Sequence, residues 1–390
     1  HSIRSLAQFQ IVLESQFESR TRWRHGDYWG GLLRHLFRMG SGRRSSGTQH
    51  SAPEDPFVNR NMPYSALKWY AKQFIRDYAP GALSQWLIGE EGPAYHLWSI
   101  GIVSGASPTE LGYPQSILNP VLTREHVTDV RALFVADPFM IHVVDTWHML
   151  FEVYNYDTDR GEIGWATSPD GLTWTYQQIV LKESFHLSYP YVFQWKDRFY
   201  LVPESHQSKS VRLYEATRFP TEWVCTDVLL SGACFNDNSI FRHGQYWWMF
   251  SETNSALTHD TLRLYYATNL TGPWQEHPCS PVIQGNPHTA RPAGRVGVFD
   301  GRLIRFAQDC FPKYGTAVRA FEITELTPDA YQERPVQKRP LFGPGWRHWM
   351  QGGMHHVDPH RLGAGRWMAA VDGWRPVGWL VPEGWQRPSC

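Results

Sequence analysis

A unit of about 50 residues recurs five times between residue 136 and the C-terminus, and this repeat constrains the fold most strongly. Each copy begins with a short apolar run, turns at a polar or glycine-containing segment, and continues into a second run that ends in a carboxylate. In the first copy the runs are 136–141 and 147–152, and the turn is at Asp145-Thr146. The residues that open the five copies are Asp137, Tyr189, Asp237, Arg291 and Asp358.

The composition of the repeat predicts β-strands, because runs rich in Trp, Tyr, Phe, Val and Ile alternate with Gly, Asp and Pro turns. A third run follows most hairpins, and a tryptophan-bearing segment comes next in three copies, at Trp174, Trp223 and Trp274. Five copies of about four antiparallel strands predict an all-β fold, a five-bladed β-propeller. The fifth copy is short of strands, and we expect the apolar run 97–103 to complete it and close the ring. An all-β sandwich without closure is the alternative, which the regular period disfavours.

Residues 1–92 differ in character from the repeats. Up to Arg44 they contain eight Arg, no Lys and three acids, and a Gly- and Ser-rich linker ends at residue 47. Apolar residues at helical spacing from Ser65 to Tyr78 predict a helix that packs on the main domain. We therefore expect residues 1–92 to form a helical or extended arm without catalytic groups, and residues 93–390 to form the propeller. The Arg-rich arm could join the subunits of a homo-oligomer.

Charge and composition exclude several classes of protein. Lys plus Arg is 37 and Asp plus Glu is 37, which argues against nucleic acid or a membrane surface as a partner bound through bulk charge. No apolar run approaches the ~18 residues that a membrane span requires. The five cysteines lack the spacing of a disulfide scaffold or a zinc ribbon. Since the sequence also does not open with a signal-peptide pattern, we expect a cytoplasmic location.

The hairpin geometry predicts where the chemistry lies. In an antiparallel hairpin the start of the first strand lies beside the end of the second, and the first strand of each propeller blade lines the channel. The residues that open the copies should therefore meet the residues that close the second strands at one mouth of the channel. The closing residues are Glu152, Glu204, Glu252, Asp309 and Asp372. Eight of these ten residues are carboxylates, and crowding in a concave site should raise some of their pKa values.

Histidines and one arginine extend this candidate site. His206 follows Glu204 closely, and His355-His356 precede Asp358. Arg291 could clamp a carboxylate, phosphate or sulfate on a substrate. A metal at the histidine pair is the alternative to a hydrogen-bonding or substrate-binding role, but no HxxxH or carboxylate spacing supports it, and we expect neither a metal nor another cofactor. Any single acid could simply bond to turn amides, whereas convergence of the whole set favours function.

The residues Asp137-Pro138 and Asp237 resemble the strand openings of five-bladed furanosidase-type propellers: the arabinanases, the β-xylosidases and, more distantly, invertase-like enzymes. The resemblance implies that Asp137 is a general base and that Asp237 tunes pKa values and orients the acid. In those enzymes the general acid is a glutamate that opens the fourth blade in a Glu-x-Pro setting. Here the corresponding segment is Arg291-Pro292-Ala293, so the usual acid is missing.

A closer resemblance covers about residues 95–375. It is carried by five segments, Phe134-Val135-Ala136-Asp137-Pro138-Phe139, residues 187–193, Val202-Pro203-Glu204-Ser205-His206, residues 290–295 and residues 353–360. They resemble the N-terminal propeller domain of plant glucosamine inositolphosphorylceramide transferases and its stand-alone bacterial relatives. In the plant proteins a separate C-terminal domain resembles the glycosyltransferase. The resemblance therefore implies a carbohydrate or glycolipid substrate without defining the reaction.

Three functions follow from these observations. The first is a glycoside hydrolase or transglycosidase, with Asp137 as base or nucleophile, Asp237 as orienter, and Glu204 as the acid because it closes the adjacent blade's second strand. Glu252 is the alternative acid. The second is a non-catalytic glycan- or glycolipid-binding propeller associated with polysaccharide or glycolipid synthesis, which the missing glutamate favours. The third is a scaffold whose arm joins subunits or a synthesis complex. The predicted substrate-binding residues are Arg291, His206, Tyr189, Glu252, Asp309, His355, His356 and Asp358.

Overall fold

A computed structural model of the chain describes residues 95–363 and 365–377. Twenty strands in this part form five four-stranded antiparallel sheets, one for each sequence repeat. This arrangement confirms the predicted all-β, five-bladed propeller. The arm and the helix expected within residues 1–92 lie outside the described residues.

Blades one to four each use strands that are consecutive in the sequence. Blade one contains β3 (Ala132–Val143), β4 (Thr146–Asn155), β5 (Arg160–Ser168) and β6 (Thr175–Leu181). Blade two contains β7 (Ser188–Trp195), β8 (Arg198–Glu204), β9 (Ser210–Arg218) and β10 (Glu222–Ser231). Blade three contains β11 (Asn236–His243), β12 (Tyr246–Glu252), β13 (Leu262–Ala267) and β14 (Gln275–Glu276). Blade four contains β15 (Gly297–Phe299), β16 (Arg302–Asp309), β17 (Ala317–Leu326) and β18 (Tyr331–Pro335).

Blade five combines strands from both ends of the described chain. Its order is β19 (Val357–Gly363), β20 (Arg366–Val377), β1 (Tyr95–Ser107) and β2 (Glu110–Gly112). Strand β1 contains the run 97–103 and pairs with β20 from Tyr95 opposite Val377 to Gly105 opposite Trp367. Three short 3₁₀ helices, Arg124–His126, His206–Ser208 and His348–Met350, lie in connections between strands.

Turn chemistry fixes the register of the hairpins. Lys196 and Asp197, which join β7 to β8, both have positive φ angles, and so do Asp300 and Gly301 between β15 and β16. Two successive residues with positive φ are typical of type I′ turns, whose twist matches that of the flanking strands. Apolar side chains of neighbouring blades then pack together; Phe139 and Leu150 of blade one, for example, share a buried cluster with Tyr191 of blade two.

The innermost strands of blades one, two and three share a β-bulge. Asp137, Tyr189 and Asp237 occupy the same bulge position and have φ angles of 53°, 45° and 50°. Two residues of the inner strand oppose one residue of its partner there, as Asp137 and Pro138 oppose Phe151. Left-handed backbone is costly for residues other than glycine, and bulges re-aim side chains near functional sites. The bulge thus places an equivalent side chain of each of these blades at the channel.

Tyr189 uses its bulge to reach across the channel. Its hydroxyl lies 2.8 Å from Oγ of Ser239 and 3.0 Å from the carbonyl oxygen of Gly294, and it accepts a hydrogen bond from the amide of Gly294. The side chain is fully buried. These bonds connect blades two, three and four at the channel wall.

We expect Tyr189→Phe to lower the free energy of unfolding by about 1–3 kcal/mol, because it leaves the buried amide of Gly294 without this acceptor. Thermal unfolding should show a decrease of about 5 °C in the melting temperature. Tyr246→Phe, at a half-buried tyrosine that starts β12, is the matched control. Equal melting temperatures for the two variants would contradict the structural role of the Tyr189 hydroxyl.

Candidate active site

Five buried carboxyl groups gather at one end of the channel, two from the bulges of β3 and β11 and three from β4, β8 and β20. We call this group the acid mouth; its members are Asp137, Glu152, Glu204, Asp237 and Asp372. A carboxylate from one blade accepts a hydrogen bond from the backbone amide of the bulge residue in the next blade. The amide of Asp137 donates to Oδ2 of Asp372 at 3.0 Å, and the amide of Asp237 donates to Oε2 of Glu204 at 2.9 Å. The bulges and the acids therefore position each other.

Arg291 brings a positive charge into the acid mouth. Its Nε donates to Oδ2 of Asp237 at 2.6 Å, and its Nη2 donates to Oε2 of Glu204 at 3.3 Å. The same oxygen of Asp237 accepts a second bond, 2.6 Å long, from Nε2 of Gln308. The guanidinium also lies over the ring of Tyr314, 4.8 Å from its centroid. Arg291 is thus a fixed counter-charge between two of the acids predicted to be catalytic.

His355 lies between two members of the acid mouth, Asp372 and Asp137. Its Nδ1 lies 2.8 Å from Oδ2 of Asp372, its Nε2 lies 3.8 Å from Oδ1 of Asp137, and its ring stacks on Trp98 at a centroid distance of 3.9 Å. Burial opposes the charged form, but Asp372 and Asp137 raise the pKa of His355. His356 is fully buried, with Nδ1 also 3.8 Å from Oδ1 of Asp137, and burial lowers its pKa to about 4. The two histidines therefore differ: the environment of His355 favours its protonated form, whereas that of His356 favours its neutral form.

The five carboxylates differ in how readily they hold a proton. Burial raises the pKa of Asp137 to about 7, with further raising by Asp372 and Glu204. Burial and the neighbouring carboxylates raise the pKa of Glu152 well above its usual value. Burial raises the pKa of Asp237 as well, although the guanidinium of Arg291 opposes that change.

Glu204 behaves in the opposite way. Burial favours its neutral form, but the hydrogen bond from His206 and the charge of Arg291 lower the pKa of Glu204 below its usual value. Nδ1 of His206 lies 2.8 Å from Oε1 of Glu204. The lowered pKa of Glu204 favours its ionised form, and its role as the proton donor stays a prediction. The raised pKa of Glu152 favours its protonated form, the state that a proton donor requires.

Several other predicted site residues have structural partners of their own. Glu252 accepts bonds of 2.7 Å from Nδ2 of Asn236 and from the amide of Asn254. Asp309 accepts a bond of 2.9 Å from Nε of Arg319 and lies 2.8 Å from Nδ1 of His288. The Tyr189 hydroxyl is used between blades, as described above. In the described part of the chain, none of these three side chains forms a hydrogen bond with a side chain of the acid mouth.

The placement of Asp358 at the acid mouth was wrong, and the reason is the missing bulge in blade five. Asp358 pairs with Ala370, two residues before Asp372, just as Phe139 pairs with Leu150, two residues before Glu152. Its position is therefore equivalent to that of Phe139 and lies deeper in the channel than that of Asp137. Its carboxylate accepts a bond of 2.6 Å from the amide of Met140.

Three residues in connections between strands complete the site, and the repeat pattern did not indicate them. His186 lies 3.5 Å from Glu152, His259 lies 2.9 Å from Nη1 of Arg291, and Tyr314 packs on both Arg291 and His355. All three lie in connections rather than in strands, so the strand pattern could not indicate them. Gln308 was detectable, because it immediately precedes the acid that closes its strand.

One group of side chains in the described residues has the spacing of metal ligands. Atoms of Asp137, His355 and Asp372 lie within 4.8 Å of one another, and all three residues are buried. Nδ1 of His355 lies 2.8 Å from Oδ2 of Asp372, so these two side chains contact each other directly. The described cysteines, Cys225, Cys234, Cys279 and Cys310, are free thiols.

Sequence comparison gives a family match over most of the chain. Residues 92–374 match the family model described as glucosamine inositolphosphorylceramide transferase 1, N-terminal. The rice (Oryza sativa subsp. japonica) protein named glucosamine inositolphosphorylceramide transferase 1 is 36% identical over 309 residues, which cover 74% of this chain and 40% of the relative. The Arabidopsis thaliana protein of that name is 32% identical over 295 residues, 71% of this chain and 39% of the relative. The chain thus spans about two fifths of the length of these curated relatives.

Structural comparison supports the fold. A candidate glycoside hydrolase from Parabacteroides distasonis has a TM-score of 0.51 and 10% identity, covering 67% of this chain and 95% of that structure. A candidate glycosidase from Bacteroides thetaiotaomicron has a TM-score of 0.50 and 11% identity, covering 68% and 97%. At these identities the likeness concerns the fold alone. Over the described residues, helices with the length and apolarity of a membrane span are absent.

Proposed function

Since this chain belongs to the family of N-terminal domains of glucosamine inositolphosphorylceramide transferase 1, we propose that its propeller acts on a carbohydrate or the sugar of a glycolipid at the acid mouth. The observation that carries this proposal is the convergence of five buried carboxyl groups with Arg291 and His355 in one site. In this setting the pKa values of Glu152 and Asp137 are raised, whereas that of Glu204 is lowered. Pairs of carboxyl groups with separated pKa values are the usual machinery of glycoside cleavage.

The proposed reaction is hydrolysis or transfer of a glycosidic bond. The carboxylic acid of Glu152 donates its proton to the oxygen of the leaving group as the bond from that oxygen to the anomeric carbon breaks. Ionised Asp137 takes the proton of a water or acceptor hydroxyl, whose oxygen forms the new bond to that carbon. Atoms and charge balance, because one carboxyl loses the proton that the other gains.

The remaining side chains position these two groups. Asp372 accepts from the amide of Asp137 and is held against His355, which keeps the Asp137 bulge in place. Arg291 donates hydrogen bonds to both Asp237 and Glu204 and fixes these carboxyl groups, whose oxygens can accept hydrogen bonds from sugar hydroxyls. Half-buried His206, His259 and Tyr314 flank the buried acids.

The pH dependence of kcat/KM should be bell-shaped. Activity should rise as the pH approaches about 7, because Asp137, whose pKa is about 7, must lose its proton to act as a base. Activity should fall at higher pH as Glu152 loses the proton that it donates. Initial rates measured from about pH 4 to about pH 10 will define the ascending and descending limbs of this profile. A rate that increases steadily with pH, without a descending limb, would contradict the role of Glu152.

Turnover by the wild-type chain is the direct test of the proposed function. Oligosaccharides of defined linkage and glycolipids should be incubated with the full chain, and products detected by reducing-end labelling and mass spectrometry. The Glu152→Gln variant, prepared in the same way, should not cleave substrates with poor leaving groups. It should retain activity on activated aryl glycosides, whose leaving groups need little protonation. Equal losses on both substrate types would assign a different role to Glu152.

A non-catalytic glycan-binding propeller is the second candidate, favoured by the ion pairs that Arg291 makes with Asp237 and Glu204. In that case the same oligosaccharides should bind to the wild-type chain, as measured by calorimetry, without conversion. Binding in the absence of turnover across the full panel would favour this function over hydrolysis.

A further inference from the structure

A cavity lies at the end of the channel opposite the acid mouth. It has a volume of about 470 Å³ and is lined by the later parts of β3, β7 and β19, which lead into the hairpin turns. We call it the basic mouth and define it by His142, Trp147, Phe193, Arg295, His360 and Arg361. None of the described residues that line it is acidic. The proposed reaction uses none of these side chains.

Arg295 is held rigidly at the inner end of this cavity. Its Nε donates to Oδ1 of Asp358 at 2.8 Å, and its Nη2 lies 3.2 Å from the carbonyl oxygens of both Met140 and Val192. Nη1 takes part in none of these three bonds. The side chain remains 19% exposed, so part of the guanidinium faces the cavity. A guanidinium fixed in this way can donate two parallel hydrogen bonds to two oxygens of one anion.

Asp358 neutralises one cation but leaves the cavity positive. Its fully buried carboxylate lies below the cavity and contacts both Arg295 and, at 2.8 Å, Nε2 of His360. Burial opposes ionisation, but Arg295 and His360 lower the pKa of Asp358. Arg361 is exposed and contributes a second guanidinium without a carboxylate among the residues that line the cavity. The cavity therefore has a net positive charge.

An apolar wall lies beside these cations. Trp147 contacts His142 at a centroid distance of 4.8 Å and His360 at 5.4 Å, and Phe193 lines the cavity next to it. Aromatic faces commonly pack against the apolar faces of rings, while guanidinium groups bind oxyanions. Together these groups fit a ring that carries an anionic substituent.

We propose that the basic mouth binds a sugar that carries a tetrahedral oxyanion, with the anion on Arg295 and Arg361 and the ring on the wall formed by His142, Trp147 and Phe193. Phosphate and sulfate esters share this chemistry. The site is independent of the acid mouth, so its ligand binds whether or not the propeller turns over a glycoside. A ligand of this kind would occupy the far end of the channel from the carboxylates.

Calorimetry on the full chain at low salt tests this proposal with four probes: glucose 6-phosphate, glucose 6-sulfate, inorganic phosphate and glucose. The sugar esters should bind more tightly than inorganic phosphate, and glucose should not bind measurably. Comparison of the two esters identifies the preferred oxyanion. Increasing the salt concentration should weaken binding, because the interaction depends on charge.

Arg361→Glu should weaken binding of the preferred ester by about tenfold or more, because it removes a charged hydrogen-bond donor and adds repulsion. His142→Ala, at another exposed position, should weaken binding of the ester more than that of inorganic phosphate, because it removes a neighbour of Trp147. Arg218→Glu makes the same charge change at an exposed position near the end of β9 and should leave binding unchanged.

Two results would overturn the proposal. One is the absence of ester binding at millimolar concentration by a folded wild-type chain. The other is equal affinity of the wild-type chain and Arg361→Glu. Loss of glycoside turnover in Glu152→Gln with ester binding retained separates the two sites, and failure of either proposal leaves the other standing.

Discussion

Asp137→Asn should reduce turnover of a glycoside by about a thousandfold, the effect expected when a general base is removed. Asparagine has nearly the same shape and can still accept the bond that the amide of Tyr189 donates to Oδ2 of Asp137. It cannot take a proton from water or from a hydroxyl. The melting temperature should therefore change by only about 2 °C, which distinguishes loss of chemistry from loss of folding. Rates under kcat/KM conditions and thermal unfolding of the same preparation measure both effects.

Asp145→Asn is the matched control for this change. Asp145 is exposed in the β3–β4 turn, at the other end of the same hairpin, so its substitution should alter neither rate nor stability. A rate for Asp137→Asn within about threefold of wild type would exclude Asp137 as the base, because general bases contribute at least about a hundredfold. The chemistry would then have to be assigned to another carboxyl of the acid mouth.

Gly294→Ala should cause the largest loss of stability, about 3 kcal/mol or more. Gly294 has a φ angle of 132°, and a Cβ atom there would lie 1.8 Å from the carbonyl oxygen of Val357. That contact lies where blades four and five join in a parallel bridge, next to the bond of 2.9 Å from the amide of Val357 to the carbonyl of Ala293. Backbone atoms cannot move away as a flexible side chain can. The melting temperature should fall by about 10 °C.

Gly244→Ala separates the two causes of this loss. Gly244 also has a positive φ angle, 61°, but a Cβ atom there would meet nothing within 4 Å. Its substitution should therefore cost only the strain of left-handed backbone, about 1–2 kcal/mol. If the two alanine variants lost equal stability, the close approach of blades four and five would not be what requires glycine at position 294.

The fold was predictable because the repeat encodes it locally. Each hairpin in the sequence has its own pair of apolar runs and its own turn residues between them. Lys196-Asp197 between β7 and β8 is an example of such a turn. Five similar units can bury the apolar faces of their sheets only against one another. A closed ring gives each sheet a neighbour on both sides. The position of Glu152, Glu204 and Asp372 at one mouth also followed from strand direction alone.

The site was less predictable, because its details depend on features that no repeat contains. The bulge that turns Asp137 and Asp237 to the channel is absent from blade five, so aligning Asp358-Pro359 with Asp137-Pro138 gave the wrong register. Protonation depends on contacts between blades: Arg291 of blade four helps to lower the pKa of Glu204 in blade two, whereas burial and carboxylates of other blades raise the pKa of Glu152. Spacing along the chain does not encode those contacts.

The pairing of Tyr95 with Val377 has a consequence for anything attached to the propeller. Strand β20 runs from its hairpin turn past Asp372 and continues five residues further before it ends opposite the start of β1. Both ends of the described chain therefore leave side by side, about 15 Å beyond Asp372 at strand spacing. A polypeptide joined at either end starts from the face that holds the carboxylates. Attachment at these ends raises the effective concentration of a tethered partner near the carboxylates.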